Sequence, residues 1–148
     1  MKRIVIALLA LFASCMAFGQ TELAQTLLGK LNTHKVSFSY SCTVKLDVPM
    51  KSSGTITAQQ NSYRLSTAGM DIYCDGTTRW TVDTATKEVY IENATGLREY
   101  LADTQRYLDN LSDIELSDVK VEPVDTREGT FRFDEKSLDS SWVVTDLR

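Results

Sequence analysis

The sequence predicts an α+β domain: one antiparallel sheet, strongly curved into an open half-barrel, meeting two helices. Three observations predict it. Residues 36–48, VSFSYSCTVKLDV, place an apolar residue at every even position and a polar one at every odd position. Short strand-like runs separated by turn residues then continue to residue 92. Two further segments, 21–32 and 97–111, carry apolar residues at helical spacing.

The first 19 residues stand outside this domain. Lys2 and Arg3 precede an uncharged apolar run from Ile4 to Ala13, and Ala17-Phe18-Gly19 offers small residues for cleavage before Gln20. Such a run is too short to span a bilayer and reads as a secretory signal peptide, 1–19, ahead of a single domain, 20–148. Phe12-Ala13-Ser14-Cys15 loosely resembles a bacterial lipobox, which would make Cys15 a lipidated first residue. The Ala-Phe-Gly site is the preferred reading.

The domain opens with Thr21 to Asn32, where Leu23, Ala24, Leu27, Leu28 and Leu31 share one helical face. The alternating strand follows. At about 3.3 Å per residue it would run roughly 40 Å, about twice the usual length. Pro49 ends it, because proline cannot donate to a ladder. Strands are expected at Gly54 to Gln59, Tyr63 to Thr67 and Asp71 to Cys74, with Gly69 in the intervening turn. Asp75-Gly76 is a strong two-residue hairpin signal, since glycine accepts positive φ without strain. Arg79 to Val82 and Glu88 to Glu92 complete an antiparallel meander. Asn93 to Gly96 can cap a helix in which Leu97, Tyr100, Leu101, Leu108 and Leu111 share a face. Ile114 to Val121, Thr130 to Phe133 and Ser141 to Thr145 return to strand.

The charge balance excludes some functions. Taking Lys2 and Arg3 from the 16 basic residues leaves 14 against 20 acidic ones, near −6. Without a Lys/Arg cluster, such a domain suits neither nucleic acid nor an anionic lipid surface. His34 is the single histidine, has no motif around it, and no G-x-S-x-G elbow exists. One histidine and two cysteines do not make a zinc set, and no phosphate-cradling glycine loop is present. The expectation is a protein that is not an enzyme and uses no metal or cofactor. Cys42 and Cys74 lie on the apolar side of their strands; a disulfide between them and two buried thiols are both open.

What stands out is apolar. Phe38, Tyr40, Val44, Leu46, Ile56, Tyr63, Leu65, Ile72, Trp80 and Val82 are expected to pool on the concave side of a curled sheet. Periodicity alone leaves open whether that space is core or ligand site.

The order of motifs goes further. Gly54-Thr55-Ile56-Thr57, then Tyr63-Arg64-Leu65, then Asp75-Gly76-Thr77-Thr78-Arg79-Trp80, with Lys87-Glu88-Val89 beyond, resembles the LolA family of periplasmic lipoprotein carriers. Phe131-Arg132-Phe133 resembles that family's late F-x-F strand. Where better-known members carry a basic residue and a proline before the aromatic-Arg strand, this chain has Gln59-Gln60-Asn61-Ser62, so no role is carried to that stretch. The resemblance implies a half-barrel with helices as a lid and a soluble, monomeric periplasmic protein. Its apolar cavity would take the acyl chains of lipoproteins and move them from the inner to the outer membrane. The implied partners are a lipoprotein-releasing ABC transporter in the inner membrane and an outer-membrane acceptor. The expected lipid contacts are Phe38, Tyr40, Val44, Ile56, Tyr63, Leu65, Ile72, Trp80 and, from the lid, Leu101 and Leu108. The alternative is a non-catalytic structural or signalling module with the same half-barrel, a filled core and a protein partner.

Overall fold

The structure, a computed structural model, describes residues 29–45, 47–94 and 111–148. Eight strands form one open sheet: β1 (His34–Val44), β2 (Met50–Gln59), β3 (Ser62–Thr67), β4 (Met70–Cys74), β5 (Thr78–Asp83), β6 (Glu88–Asn93), β7 (Leu111–Pro123) and β8 (Val143–Asp146). Their order across the sheet is β7-β1-β2-β3-β4-β5-β6-β8. All neighbours are antiparallel except β6 and β8.

The expected α+β class is corrected. The described residues are mostly strand, and none of their helices reaches seven residues. The helical turn at Glu135–Ser137 is only three residues long. The helices expected over 21–32 and 97–111 fall almost wholly outside the described residues, and Leu111 begins a strand. Thr130 to Phe133 is not a strand; it belongs to an irregular crossing described below.

Local chemistry sets the turns. Gln60 and Asn61 join β2 to β3 with Gln60 at φ +52°. Gly69 (φ +78°) and Gly76 (φ +94°) take the left-handed conformations that side chains resist. Asp75 closes the β4–β5 hairpin, its carboxylate accepting from the Thr77 and Thr78 amides. Asp83 does the same for Ala85 and Thr86 after β5. The edge strand β7 carries two bulges against β1. Asp113 and Asp118, both at positive φ, sit in them. Bulges of this kind twist an edge away from foreign strands.

The apolar surface changes sides within the sheet. Over β1–β4 one face carries Val36, Phe38, Tyr40, Cys42, Val44, Ile56, Ala58, Tyr63, Leu65, Met70, Ile72 and Cys74, none more than 7% exposed. Beyond β4 that face turns polar: Arg79, Thr81 and Asp83 on β5, Glu88, Tyr90 and Glu92 on β6. Arg79 and Glu92 pair directly across the strands at 2.7 Å. Trp80, Val82, Val89 and Ile91 are buried on the opposite face.

The cause is hairpin parity. An even number of residues between partners, here four between Cys74 and Arg79, pairs even positions of one strand with odd positions of the next. Ile72 therefore faces Thr81, while Trp80 pairs with Tyr73 and with Ile91. Trp80 and Val82 do not join the pool expected from the sequence.

Residues 124–142 cover this second apolar patch. Leaving β7, the chain crosses the sheet beneath β1–β6 and ends in β8 beside β6. Gln59, buried, fastens its start: its amide donates to the Asp125 carbonyl (2.7 Å) and accepts from the Asp125 amide (2.8 Å). Further on, Phe133 meets the Tyr73 ring at 5.5 Å, and Glu135 accepts from Trp80 Nε1 at 3.0 Å. Leu138 and Trp142 complete the packing against Trp80, Val82, Val89 and Ile91.

Candidate functional site

The candidate site is the apolar wall on β1–β4. Of the expected lipid contacts, Phe38, Tyr40, Val44, Ile56, Tyr63, Leu65 and Ile72 lie on it together. Trp80 lies on the other face. Leu101, Leu108 and Leu46 fall outside the described residues. Met70 and Ala58, which are not among the expected contacts, lie in the same rows. Even-position alternation in β2 and β4 was the signal for both.

The wall is built row by row. Phe38, Ile56, Leu65 and Ile72 are successive cross-strand partners, and Val36, Ala58, Tyr63 and Cys74 form the next row but one. Tyr40 pairs with Gly54, which in turn pairs with Thr67. A Cβ at position 54 would stand 2.9 Å from the Tyr40 hydroxyl and closer still to the Ser66 carbonyl oxygen. The glycine is what lets the tyrosine ring lie across β2.

Tyr40 carries the buried polar atom on this wall that lacks a partner among the described residues. It is 3% exposed, and its hydroxyl makes no hydrogen bond of ordinary geometry among the described residues. Burial pushes its pKa up to about 12, only partly offset by the nearby Thr67 and Ser52 hydroxyls. The folded chain thus holds this proton more tightly than the unfolded chain does. The associated stability is present below pH ~10 and lost as pH rises to about 12. Tyr40→Phe is expected to stabilise the protein by about 1 kcal/mol at neutral pH and to shrink the alkaline loss. Urea midpoints measured from pH 8 to pH 12 check this.

Cys42 and Cys74 are free, buried thiols. The row of Cys74 runs through Tyr63 and Ala58 to Val36, six residues along β1 from Cys42. Six residues are about 20 Å of strand, far beyond the ~7 Å Cα limit for a bridge. The disulfide is thereby excluded. Burial raises both thiol pKa values, so neither is a ready nucleophile. Both are expected to resist an aromatic disulfide reagent in the native protein and to react fully in denaturant without reductant. A Cys42–Cys74 peptide in a non-reducing digest would contradict the register.

Elsewhere, His34 hydrogen-bonds through Nδ1 to the Thr33 hydroxyl at 2.8 Å. Among the described residues no group of His, Cys, Asp or Glu is placed to hold a metal ion, and no helix is long and apolar enough to cross a membrane. No family model matches the chain, and no curated protein matches it significantly. The wall therefore has to be interpreted from its own chemistry. Its described residues offer contact area and desolvation, with the Tyr40 hydroxyl as the buried polar atom that lacks a partner among them.

Proposed function

We propose that this protein is a periplasmic carrier of LolA-like type, which shelters the acyl chains of lipoproteins between the inner and outer membranes. The observation that carries the reading is the apolar face that spans four strands, interrupted by Ser52 and Thr67 and free of charged side chains among the described residues. The motif order supports it: the Gly54 strand, the Tyr63-Arg64-Leu65 strand and the Asp75 hairpin are consecutive neighbours in the sheet. Each CH₂ hidden from water is worth about 0.8 kcal/mol, so acyl chains cannot cross an aqueous space uncovered. Transfer from bilayer to wall is near neutral, because both surfaces are apolar. An inner-membrane ABC transporter would drive extraction, and an outer-membrane acceptor would receive the cargo.

A second reading has its own observation. The wall side chains are at most 7% exposed, which suits a filled core serving a protein partner. One experiment separates the two. Protein secreted with its leader is purified without detergent, extracted and analysed by mass spectrometry, then offered a fluorescent triacylated lipopeptide. Copurified acyl species and saturable uptake are the expected result. An empty, folded protein that takes up no lipopeptide favours the partner-binding module. Substitutions such as Leu65→Asp are unsuited to this test, since Leu65 is 2% exposed and a carboxylate there would unfold the sheet.

A further inference from the structure

The face of β1–β3 opposite the apolar wall is polar, and two cavities lie along it. The larger, about 470 Å³, is lined by Lys35, Thr57, Arg64, Arg127, Gly129 and Thr130. In a chain of net charge −4, three cations border one hollow. The acid within reach is largely consumed. Asp125 is 5% exposed at its side chain, takes both Nε and Nη2 of Arg127, and accepts from the Thr130 hydroxyl. Arg127 holds it well below the usual carboxylate range. Lys35 is left with two long contacts of 3.5 Å, to Asp125 and to Glu122.

Arg64 is oriented differently. Its guanidinium lies over the Tyr73 ring at 4.6 Å, and it faces Thr57 directly across the strands. Stacking fixes the plane of a guanidinium while leaving its N–H edge for an oxyanion. With Asp125 and Glu122 set against Lys35, Arg64 and Arg127, the hollow keeps one net positive charge, which a small anion would complement.

Thr57 also borders the second cavity, about 390 Å³, together with Ser37, Ser39 and Thr55. These residues pair as Ser37 with Thr57 and Ser39 with Thr55. Their four hydroxyls mark the corners of a rectangle about 5 Å by 7 Å on the pleated face. None makes a side-chain hydrogen bond among the described residues. Each can donate and accept, which complements the vicinal hydroxyls of a sugar ring.

We propose that this face binds a monosaccharide phosphate. The phosphate lies between Arg64, Arg127 and Lys35, and the sugar lies over the Ser37, Ser39, Thr55 and Thr57 hydroxyls. The site is independent of the acyl reading, because it lies on the other side of the sheet.

The test is titration of the ¹⁵N-labelled secreted protein with glucose 6-phosphate, inorganic phosphate and glucose, each to about 10 mM. The expected result is saturable shifts in β1–β3 and residues 125–130, with glucose 6-phosphate bound at least about tenfold more tightly than either fragment. Arg64→Ala, at an exposed position, is expected to weaken glucose 6-phosphate at least about tenfold with the fold retained. The Ser39→Val, Thr55→Val double variant should remove the advantage over inorganic phosphate while leaving phosphate affinity unchanged. Absence of saturable shifts, equal affinity for inorganic phosphate, or unchanged binding by Arg64→Ala would each overturn the proposal.

Discussion

Replacing Gly54 by alanine is expected to destabilise the protein by about 3 kcal/mol or more, near the upper end for overpacking. The new methyl group would meet the Ser66 carbonyl oxygen on one side and, at 2.9 Å, the Tyr40 hydroxyl on the other. The first neighbour is backbone of the partner strand β3, so relief requires β2 and β3 to part. The second is the hydroxyl of a ring that is only 3% exposed. Gly129→Ala is the control, since a Cβ there meets nothing within 4 Å; its effect should stay within about 0.5 kcal/mol. Combining Gly54→Ala with Tyr40→Phe should recover only part of the loss, because the carbonyl contact remains. Urea denaturation of the four proteins decides the matter. A Gly54→Ala protein as stable as the parent would mean that Tyr40 does not lie across β2, and the wall would need redrawing.

Much of this sheet is legible in the sequence, and the physical reason is alternation. From Val36 to Val44 every second residue is buried, so the strand's dry face can be read letter by letter. The turn chemistry at Gly69 and Asp75-Gly76 punctuates the next strands equally well. Hairpin parity is written there too. The four residues between the partners Cys74 and Arg79 oblige Trp80 to face away from Ile72, and pooling every apolar residue into one concave surface overlooks that constraint. The longer connections are another matter. Gln59 and Asp125 are 66 residues apart, and nothing local in either neighbourhood marks them as a pair. Phe131 and Phe133 alternate like a strand but serve a crossing: Phe131 is buried, and Phe133 meets Tyr73 on the sheet's face and not along its edge. The cationic hollow is hidden for the same reason: Lys35, Arg64 and Arg127 come from three distant stretches in a chain whose overall charge is negative.

That crossing supplies the second large effect. Trp80→Ala is expected to cost about 3–5 kcal/mol, the usual range for emptying a buried aromatic site. Trp80 is 3% exposed and sits at the centre of Val82, Val89 and Ile91, with Tyr73, Phe133, Leu138 and Trp142 around it. Its indole N–H also holds Glu135 at 3.0 Å, so removing the ring takes away both packing and a hydrogen bond from the last part of the crossing segment. The consequence should be local before it is global. β8 has four residues and is tied to β6 through bonds such as Val143 N–H to the Lys87 carbonyl and Leu147 N–H to the Ile91 carbonyl. Under native conditions, hydrogen exchange in Trp80→Ala should therefore accelerate first at Val143 and Leu147, while amides of β1 and β2 keep their protection. Trp80→Phe should retain most of the packing and lose only the Glu135 bond, at a cost of about 1–2 kcal/mol. If exchange instead began in β1 and β2, the two apolar faces would be one cooperative core. The separation between the β1–β4 wall and the core around Trp80 would then fail.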